Sequence, residues 1–583
     1  MKQYLLALIA CFTSHLLLAQ QYTDYIGAGH NAGVTVITSH NQNNTNNGGT
    51  TVDGFPLDQI GQLKDASRFL AQATLGYDYE MIERVAQIGY EAWIDEQLAI
   101  PQLNMTDMVE QIEASMSGGP DAFGGMMSFR IAWWNWTLKR PDLLRQRVTH
   151  ALSQIFVISS VGSDLFEDHG ELSTYYFDVL NRNAFGNYRQ LLSEVSRNPS
   201  MGLYLSHMFN PKSDPANNIH PDENYAREVM QLFSIGLYEL NNDGTRKLDA
   251  SGNFIPTYNN ADIREFAKIF TGFGNGIPGH PWGVPMEDGL IAMYPMAMFE
   301  EWHEPGSKTL LNGQIVPAGQ TGLQDFNDAM DNLHNHPNVG PFIGKALIQF
   351  LVSSNPSPAY VNRVANAFND NGQGVRGDLK AVVKAILLDE EARQCDVANA
   401  PYRGKLREPI VRYSGFMRAF NAEAIGNSGE WFATTMDDWL ATVGQVPLFA
   451  SSVFNFYSPE YQPNGPIADQ NLVAPVFQIH NSTTSIGFIN NVQYWTFEEL
   501  PFIDAGEHSE LPSEPILDFD DEWELADNPT ALVDRLDILL ACGQLSDASK
   551  TIIVNALSQL IEEDRLAMAL YLILISPDYA FLK

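Results

Sequence analysis

The sequence predicts a mainly α protein, a large multi-helix globular domain with a few short hairpins and long ordered loops. Apolar residues recur at helical spacing in run after run, for example over 65–76 and 261–271. These two runs end at Gly76 and Gly272, and Asn259 or Asn260 supplies a cap for the second. No repeat with a period of 20 to 50 residues is present, which argues against a solenoid.

The chain has 583 residues, enough for one large or two intimately packed domains. We divide it into a signal peptide (1–19), a flexible leader rich in Gly, Asn and Thr (20–56) and a helical domain (57–583). A further boundary near 390–405 is left open.

The first 19 residues have the layout of a secretory signal peptide. Lys2 is their one charge, apolar runs follow at 4–12 and 16–18, and Ala19 precedes Gln20. A membrane anchor fits less well, because the polar residues 13–15 interrupt the apolar run. We therefore expect export to the periplasm or the medium, with no membrane span in the mature chain. Lipid anchoring is not expected, because no lipobox Cys stands at the predicted cleavage site near Ala19.

Over the whole chain, acidic residues outnumber basic ones about two to one. Lys and Arg total 34 and Asp and Glu total 70, so the formal net charge is −36. This charge repels nucleic acid and anionic lipid, which are excluded as partners. Cys11, Cys395 and Cys542 are too few and too widely spaced for a disulfide framework or a metal knuckle. Two free thiols and one long-range bridge both remain open for the last two.

Helical spacing predicts helices in order along the chain, and two turns with Asp and Gly predict a small hairpin over 241–253. The predicted helices are 65–76, 82–98, 126–138, 143–159, 187–198, 199–208, 220–236, 261–271, 327–335, 340–353, 359–369, 379–388, 410–420, 531–540, 546–561 and 565–575.

The segment 220–236 carries the most distinctive polar face. On a helical wheel its polar arc contains His220, Glu223, Asn224, Arg227, Glu228, Gln231 and Ser234. The opposite arc contains Tyr225, Val229, Met230, Leu232, Phe233 and Leu237. Pro221 suits a first helical position. The polar arc has no Lys, the usual solvating residue, so it is a candidate site.

Two further segments bring functional groups together. The Pro/Gly turn at 302–308 offers His303, Glu304 and Lys308. The stretch 444–459 is rich in aromatic residues and Asn, and it offers Gln445 and Asn455.

From these segments we take Glu223, Glu228 and His303 as catalytic candidates. The binding candidates are His220, Asn224, Arg227, Glu304, Lys308, Gln445 and Asn455. The identity of any cofactor or metal is left open, and Glu223 or Glu228 could serve as a metal ligand instead of a general base. A purely structural alternative pairs Glu223 with Arg227 four residues later, while Asn224 and Glu228 satisfy buried backbone groups.

Five motifs carry a resemblance to the bacterial domain-of-unknown-function 1800 family. They are the segments 68–76, 91–98, 221–228, 303–308 and 575–580. The resemblance implies an exported, largely helical protein without an established activity. Members are often encoded beside a second exported protein similar to the alkaline phosphatase and sulfatase superfamily, which suggests a partner.

The chain departs from the family pattern at two places. Many members have Trp-His-Asn-His-Phe where this chain has Leu-Ser-Gln-Ile-Phe at 152–156, and they have Glu and His in place of Gln231 and Phe233. These changes remove an imidazole-based metal or haem site from those positions.

Two functions fit these observations. The first is an exported accessory or binding protein that acts with a partner. The alternative is a hydrolase of polysaccharide or ester substrates with a carboxylate and His site on 220–236 and 302–308. Whether the protein is an enzyme is left open.

Overall fold

The computed structural model describes residues 51–52, 55–116, 125–283, 290–394, 403–424, 437–499 and 515–583. The predicted signal peptide, most of the leader, Cys395 and most of the boundary near 390–405 lie outside these ranges. Cys542 is buried and free. Within the described ranges, no helix combines the length and apolar character needed to cross a membrane.

The prediction of a mainly α fold is confirmed. The described ranges contain eleven helices before position 236. They are α1 (Leu57–Ala73), α2 (Tyr79–Ile88), α3 (Tyr90–Ala99), α4 (Met105–Met116), α5 (Met126–Lys139), α6 (Leu143–Ile155), α7 (Asp164–Asp168), α8 (Gly170–Asn183), α9 (Tyr188–Ser196), α10 (Pro199–Tyr204) and α11 (Asn224–Gln231).

The rest of the chain continues in the same way. Its helices are α12 (Asn260–Ile269), α13 (Gly322–His334), α14 (Val339–Leu351), α15 (Pro358–Asn369), α16 (Leu379–Leu387), α17 (Glu390–Arg393), α18 (Pro409–Ala419), α19 (Asp437–Thr442), α20 (Pro466–Asp469), α21 (Ser482–Tyr494), α22 (Asp520–Trp523), α23 (Pro529–Ala541), α24 (Asp547–Leu557), α25 (Glu562–Leu574) and α26 (Pro577–Ala580).

The strands have two residues each and form antiparallel pairs. The pairs are β1 (Thr51–Val52) with β2 (Phe55–Pro56), β3 (Phe273–Gly274) with β4 (Ala297–Met298), β5 (Lys308–Thr309) with β6 (Ile315–Val316), β7 (Lys405–Leu406) with β10 (Phe581–Leu582), and β8 (Glu423–Ala424) with β9 (Pro515–Ile516). The β7–β10 pair joins the C-terminal end of the chain to the segment that carries Lys405.

The centre of the core is formed by α5, α6 and α8. Trp133, Trp134 and Trp136 of α5 are almost fully buried, and Trp136 meets Phe177 of α8 edge to face at 5.0 Å between ring centroids. Twelve of the 13 residues of α6 are buried, charged side chains included. A helix surrounded on all sides must satisfy those charges inside the protein.

The predicted runs 82–98 and 220–236 do not form single helices over their whole length. The run 82–98 is two helices, because Gly89 adopts φ 85° between α2 and α3. The run 220–236 contains the short helix α11 alone. The Asp222 carboxylate accepts a hydrogen bond from the Asn224 N–H at 2.7 Å, so the helix begins after Pro221. Gly236 has φ 72° beyond its end.

Among the described helices of 12 or more residues, three were not predicted, namely α4, α8 and α21. The short helices α7, α17, α19, α20, α22 and α26 were not predicted either. In α8, eleven of 14 residues are buried, so its sequence lacks the apolar stripe of a half-exposed helix. The predicted hairpin is confirmed as a small meander, with bridges between Tyr238 and Pro256, Leu240 and Arg246, and Leu248 and Phe254.

Candidate functional site

A buried carboxylate, Glu408, lies at the junction of three segments of the core. It occupies the position just before α18, with Pro409 as the first helical residue, and it is 1% exposed. The N-terminal end of a helix favours a negative charge. Its neighbours come from α6, from β7 and from the loop at 444–457, which together we call the Glu408 centre.

The Oε2 atom of Glu408 accepts hydrogen bonds from three side chains. His150 Nε2 lies at 3.0 Å, Gln154 Nε2 at 2.5 Å and Gln445 Nε2 at 3.0 Å. His150 and Gln154 are four residues apart on α6, so they share one face of that helix. Asn455 extends the network by donating its Nδ2 to Gln154 Oε1 at 2.9 Å.

The Oε1 atom of Glu408 faces two buried cations. Lys405 Nζ lies 3.6 Å away and Arg147 Nη1 lies 3.9 Å away. Both cations also donate a hydrogen bond of 2.6 Å to the carbonyl of Phe350, near the C-terminal end of α14. That carbonyl is one that the helix itself leaves without a partner, and the C-terminal end of a helix favours cations.

These contacts keep the carboxylate ionised. Burial alone would raise the pKa of Glu408, but His150, Lys405 and Arg147 outweigh it and hold the pKa well below its usual value. Burial lowers the pKa of Lys405 to about 8, and Glu408 opposes that shift. At neutral pH the centre therefore contains an ionised carboxylate between charged donors.

A narrow pocket of about 20 Å³, partly open to solvent, adjoins the Oε2 side of the centre. We call it the larger pocket, because a smaller one is lined by Lys405 and Tyr457. Its polar wall consists of His150, Ser153, Gln154, Gln445 and Asn455. Its apolar wall includes Trp133, Val157, Phe177, Val446, Leu448 and Phe456. An apolar pocket with a few converging polar groups is the usual form of a small-molecule site.

The loop that forms one wall of this larger pocket has a strained backbone. Leu448 has φ 51° and Asn455 has φ 69°. Asn tolerates the left-handed region, whereas a bulky residue such as Leu seldom adopts it. The Ser160 N–H donates to the Leu448 carbonyl at 3.1 Å and holds this conformation. Strain of this kind is concentrated at functional sites.

Two sequence-predicted binding residues, Gln445 and Asn455, belong to this centre. Sequence reasoning missed Arg147, His150, Gln154, Lys405 and Glu408. One signal was present in the sequence, because Arg147, His150 and Gln154 recur at helical spacing in α6, which has polar residues all around it. Polar residues on a helix with no polar face indicate a buried network.

The His303 segment forms a second buried cluster in a different part of the fold. Lys308 Nζ donates to Asp325 Oδ2 and to the Glu304 carbonyl, and His303 Nε2 lies 3.1 Å from the same Asp325 oxygen. His303 Nδ1 lies 2.9 Å from the Thr271 carbonyl. Every polar atom of His303 and Asp325 has a partner, as in a structural network.

The carboxyl of Asp325 remains ionised in that cluster. Burial would raise its pKa, but hydrogen bonds from Lys308, His303 and Gln320 outweigh burial and lower the pKa below its usual value. The side chain of Glu304 accepts a hydrogen bond from the Ser213 N–H at 3.2 Å. Sequence reasoning found three members of this region, His303, Glu304 and Lys308, but not Asp325.

The candidates on 220–236 do not converge on one cavity. Glu223 and Arg227 form a half-exposed ion pair of 3.4 Å, and His220 and Asn224 are exposed. Glu228 is buried, and burial raises its pKa. Among the described residues, no hydrogen bond or ion pair joins Glu223 or Glu228 to His303.

Metal-ligand geometry is not found in the part of the chain that the structure describes, where no three His, Cys, Asp or Glu side chains are grouped to hold an ion. At the positions where the chain departs from the family pattern, the rings of Phe156 and Phe233 pack 5.3 Å apart, and Ser153 lines the larger pocket.

The fold and the centre together define a class, a mainly α protein with a buried, charge-stabilised carboxylate beside a narrow pocket. The chain belongs to the family described as protein of unknown function (DUF1800), whose model matches residues 68–581. This match covers most of the chain and confirms the family predicted from the motifs.

Two other comparisons add little. A segment of 164 residues is 25% identical to alanine–tRNA ligase from Parvibaculum lavamentivorans, and it covers 28% of this chain and 18% of that enzyme. A match to so small a part of the enzyme is no basis for assigning the enzyme's activity to this chain. No solved structure matches the chain.

Proposed function

We propose that this protein is an exported binding protein that holds a small molecule in the larger pocket beside Glu408. The observation that carries the proposal is the polar wall of that pocket, where His150, Gln154 and Gln445 converge on one buried carboxylate oxygen. Such a wall orients a ligand by hydrogen bonds, while the apolar wall supplies the contact area.

The contacts in the structure favour ligand binding over the hydrolase site that the sequence predicts. In that site, His303 is fully occupied by Thr271 and Asp325, and Glu223 is paired with Arg227 at the surface. A general base needs a free nitrogen or oxygen within reach of a substrate proton.

A screen of small uncharged fragments tests the proposal, each fragment carrying one amide or hydroxyl group on an apolar ring. Thermal unfolding of the purified protein is measured with each fragment. Ser153→Phe fills the larger pocket, and Ser558→Phe makes the same change at an exposed position on the last turn beyond α24. We expect fragments that raise the melting temperature of the wild type and of Ser558→Phe, but not of Ser153→Phe.

Two results would reject the pocket as a binding site. One is a screen without any stabilising fragment, and the other is a set of fragments that stabilise Ser153→Phe as much as the wild type. A crystal structure with a fragment bound away from Glu408 would reject the role of the centre even if binding occurs.

A hydrolase is the second candidate, and one observation favours it. Glu408 orients the imidazole of His150 on the wall of the larger pocket, and Ser153 lies one helical turn further along α6. Ser153 Oγ donates to the His150 backbone carbonyl at 2.8 Å rather than to the ring, so the nucleophile is not in place. Hydrolysis of p-nitrophenyl acetate that is lost in His150→Gln would make this candidate the leading one.

We also propose that the protein is exported and that it acts with a partner protein. The pattern of residues 1–19 supports export, and cell fractionation of the full chain and of a chain lacking 1–19 tests it. The family resemblance supports a partner similar to the alkaline phosphatase and sulfatase superfamily. Co-purification with such a protein encoded nearby tests that expectation, and its absence from the complex would reject it.

A further inference from the structure

The buried cluster around Asp325 brings an amine, a carboxyl group and an imidazole into mutual contact. Lys308 is the first residue of β5, Asp325 lies in the first turn of α13, and His303 lies shortly before β5. The three residues are 1% or 2% exposed. Lys308 Nζ and His303 Nε2 both contact Asp325 Oδ2, and Nζ lies 3.3 Å from Nε2. Three groups that exchange protons therefore meet at one position shielded from water.

The contacts of His303 fix the position of its proton. Its Nδ1 lies 2.9 Å from the Thr271 carbonyl, which only accepts, so Nδ1 carries the hydrogen and Nε2 of the uncharged ring has a lone pair. Nε2 lies 3.1 Å from Asp325 Oδ2. Two lone pairs repel at that distance unless a proton lies between them, on the imidazole or on the carboxyl group. A proton on Oδ2 gives an uncharged carboxylic acid, the form of the group that an amine attacks.

The other oxygen of Asp325 is held by a donor. Gln320 Nε2 donates a hydrogen bond to Oδ1 at 3.0 Å. Asp325 also lies in the first turn of α13, where the helix dipole favours negative charge. When a nucleophile bonds to Cγ of Asp325, Oδ1 becomes an oxyanion, and these two groups stabilise that charge where it forms.

We propose that Lys308 and Asp325 condense into an intramolecular amide bond, with His303 as the catalytic group that moves the protons. His303 Nε2 takes a proton from the Lys308 ammonium and gives it to Asp325 Oδ2, which leaves an amine beside a carboxylic acid. The nitrogen lone pair then bonds to Cγ. His303 takes a second proton from that nitrogen and gives it to the hydroxyl at Oδ2, and the bond between Cγ and Oδ2 breaks. The products are one amide and one water molecule, so the reaction needs no oxidant and no second substrate.

Burial favours the amide over the ion pair of Lys308 and Asp325, which is the state of the chain before the bond forms. Two charges inside a protein are costly, whereas the amide is uncharged. The fold holds the amine beside the carboxyl group, and a neighbour held in this way reacts as if its concentration were about 10⁵ M or more. Water, which reverses the reaction, is kept away from two groups that are each 1% exposed.

The amide fixes the β5–β6 hairpin to α13. Lys308 and Asp325 are 17 positions apart, so the bond closes a loop and restricts the unfolded chain as a disulfide does. The described residues contain one cysteine, Cys542, and it is free, so no disulfide serves this purpose in that part of the chain. The inference does not depend on the proposed function, because the Glu408 centre takes no part in the reaction.

Intact-mass spectrometry of the purified protein tests the proposal, with the N-terminus read from a digest of the same sample. We expect the wild type to be lighter than its sequence by the mass of one water molecule. Chymotrypsin cleaves after leucine, and three leucines lie between the two residues. The peptides that contain Lys308 and Asp325 should nevertheless stay joined in a chymotryptic digest of the unfolded chain.

Three variants identify the groups that react. Lys308→Arg keeps the positive charge, but a guanidinium is always protonated and is no nucleophile, so this variant should have its full sequence mass. Lys345→Arg makes the same change at a partly exposed ion pair with Glu460 and should still lose water. His303→Gln keeps a polar side chain that cannot carry a proton between the groups, so its cross-linked fraction should fall.

A wild type at its full sequence mass, with the two peptides separate, overturns the proposal. A loss of water that persists in Lys308→Arg also overturns it, because the dehydration then lies elsewhere in the chain. An unchanged cross-linked fraction in His303→Gln would overturn the catalytic role of the imidazole. Both measurements on the wild type need no variant, so the proposal stays testable even if a variant fails to fold.

Discussion

Three buried carboxylates differ in how their charge is satisfied. Glu408 and Asp325 are each surrounded by donors that lower their pKa. Glu228 is buried too, but its Oε2 has no hydrogen-bond partner in the described part of the chain. Burial raises its pKa, and Arg227 opposes the shift in part. A buried carboxylate thus stabilises the protein at Glu408 and Asp325 but lowers its stability at Glu228.

Replacing Glu228 with Gln is therefore expected to stabilise the protein at pH 7. The raised pKa means that the folded state disfavours the ionised form, whereas the unfolded chain ionises freely. We expect the free energy of unfolding to rise by about 1 kcal/mol at pH 7, the lower end of the cost of a buried polar atom without a partner. The gain should vanish as the pH falls through about 4, where both states bind the proton.

Urea unfolding at pH 7 and pH 4 measures this effect. Glu223→Gln is the matched control, because its half-exposed pair with Arg227 contributes about 0.5 kcal/mol or less. A destabilisation of several kcal/mol in Glu228→Gln would instead show that the carboxylate holds an essential contact, as the structural alternative from the sequence assumed.

At the scale of the elements, the boundaries of the helices depend on a few backbone positions. Gly89 ends α2 and starts α3 with φ 85°, and its N–H donates to the Val85 carbonyl at 2.9 Å. Gly61 lies inside α1 with ordinary helical geometry. A Cβ at either position would meet no atom within 4 Å. The two glycines therefore differ in backbone conformation and not in available space.

Ala at these two positions should have opposite effects. Gly89→Ala should lower the free energy of unfolding by about 1 to 2 kcal/mol, the cost of a left-handed conformation for a residue with a Cβ. Gly61→Ala should raise it by about 0.5 to 1 kcal/mol, because the unfolded chain loses entropy and helix propensity improves. Thermal unfolding followed by circular dichroism compares the two, and equal effects would contradict the assignment of the α2–α3 break.

Across the whole molecule, the dominant property is a formal net charge of −36. A surface with this surplus repels itself, which lowers the stability of the compact state. The buried clusters around Glu408 and Asp325 are shielded from solvent, so salt acts on them far less than on the surface.

Salt is therefore expected to raise the melting temperature. Most of the rise should occur between about 0.01 and 0.3 M NaCl, where the Debye length falls from about 30 Å to below 10 Å. A melting temperature that falls with salt would show that attractive surface pairs outweigh the net repulsion.

The fold class was predictable because helix periodicity and turn residues are local. Runs such as 359–369 and 379–388 have one apolar stripe, and the structure has α15 and α16 at nearly these positions. Prediction missed α8, in which eleven of 14 residues are buried and polar and apolar residues are mixed around the helix. The family assignment was also within reach, because it depends on short motifs.

By itself, the sequence determined the helical class, the family and the acidic surface, since each follows from residues close together in the chain. The Glu408 centre was decided by the tertiary structure alone. His150 and Glu408 are 258 positions apart, and Gln154 and Asn455 are 301 positions apart. Nothing local in either partner specifies such a pairing. It arises because α6 is buried on every side, and its charged side chains must find partners wherever packing brings other segments of the chain.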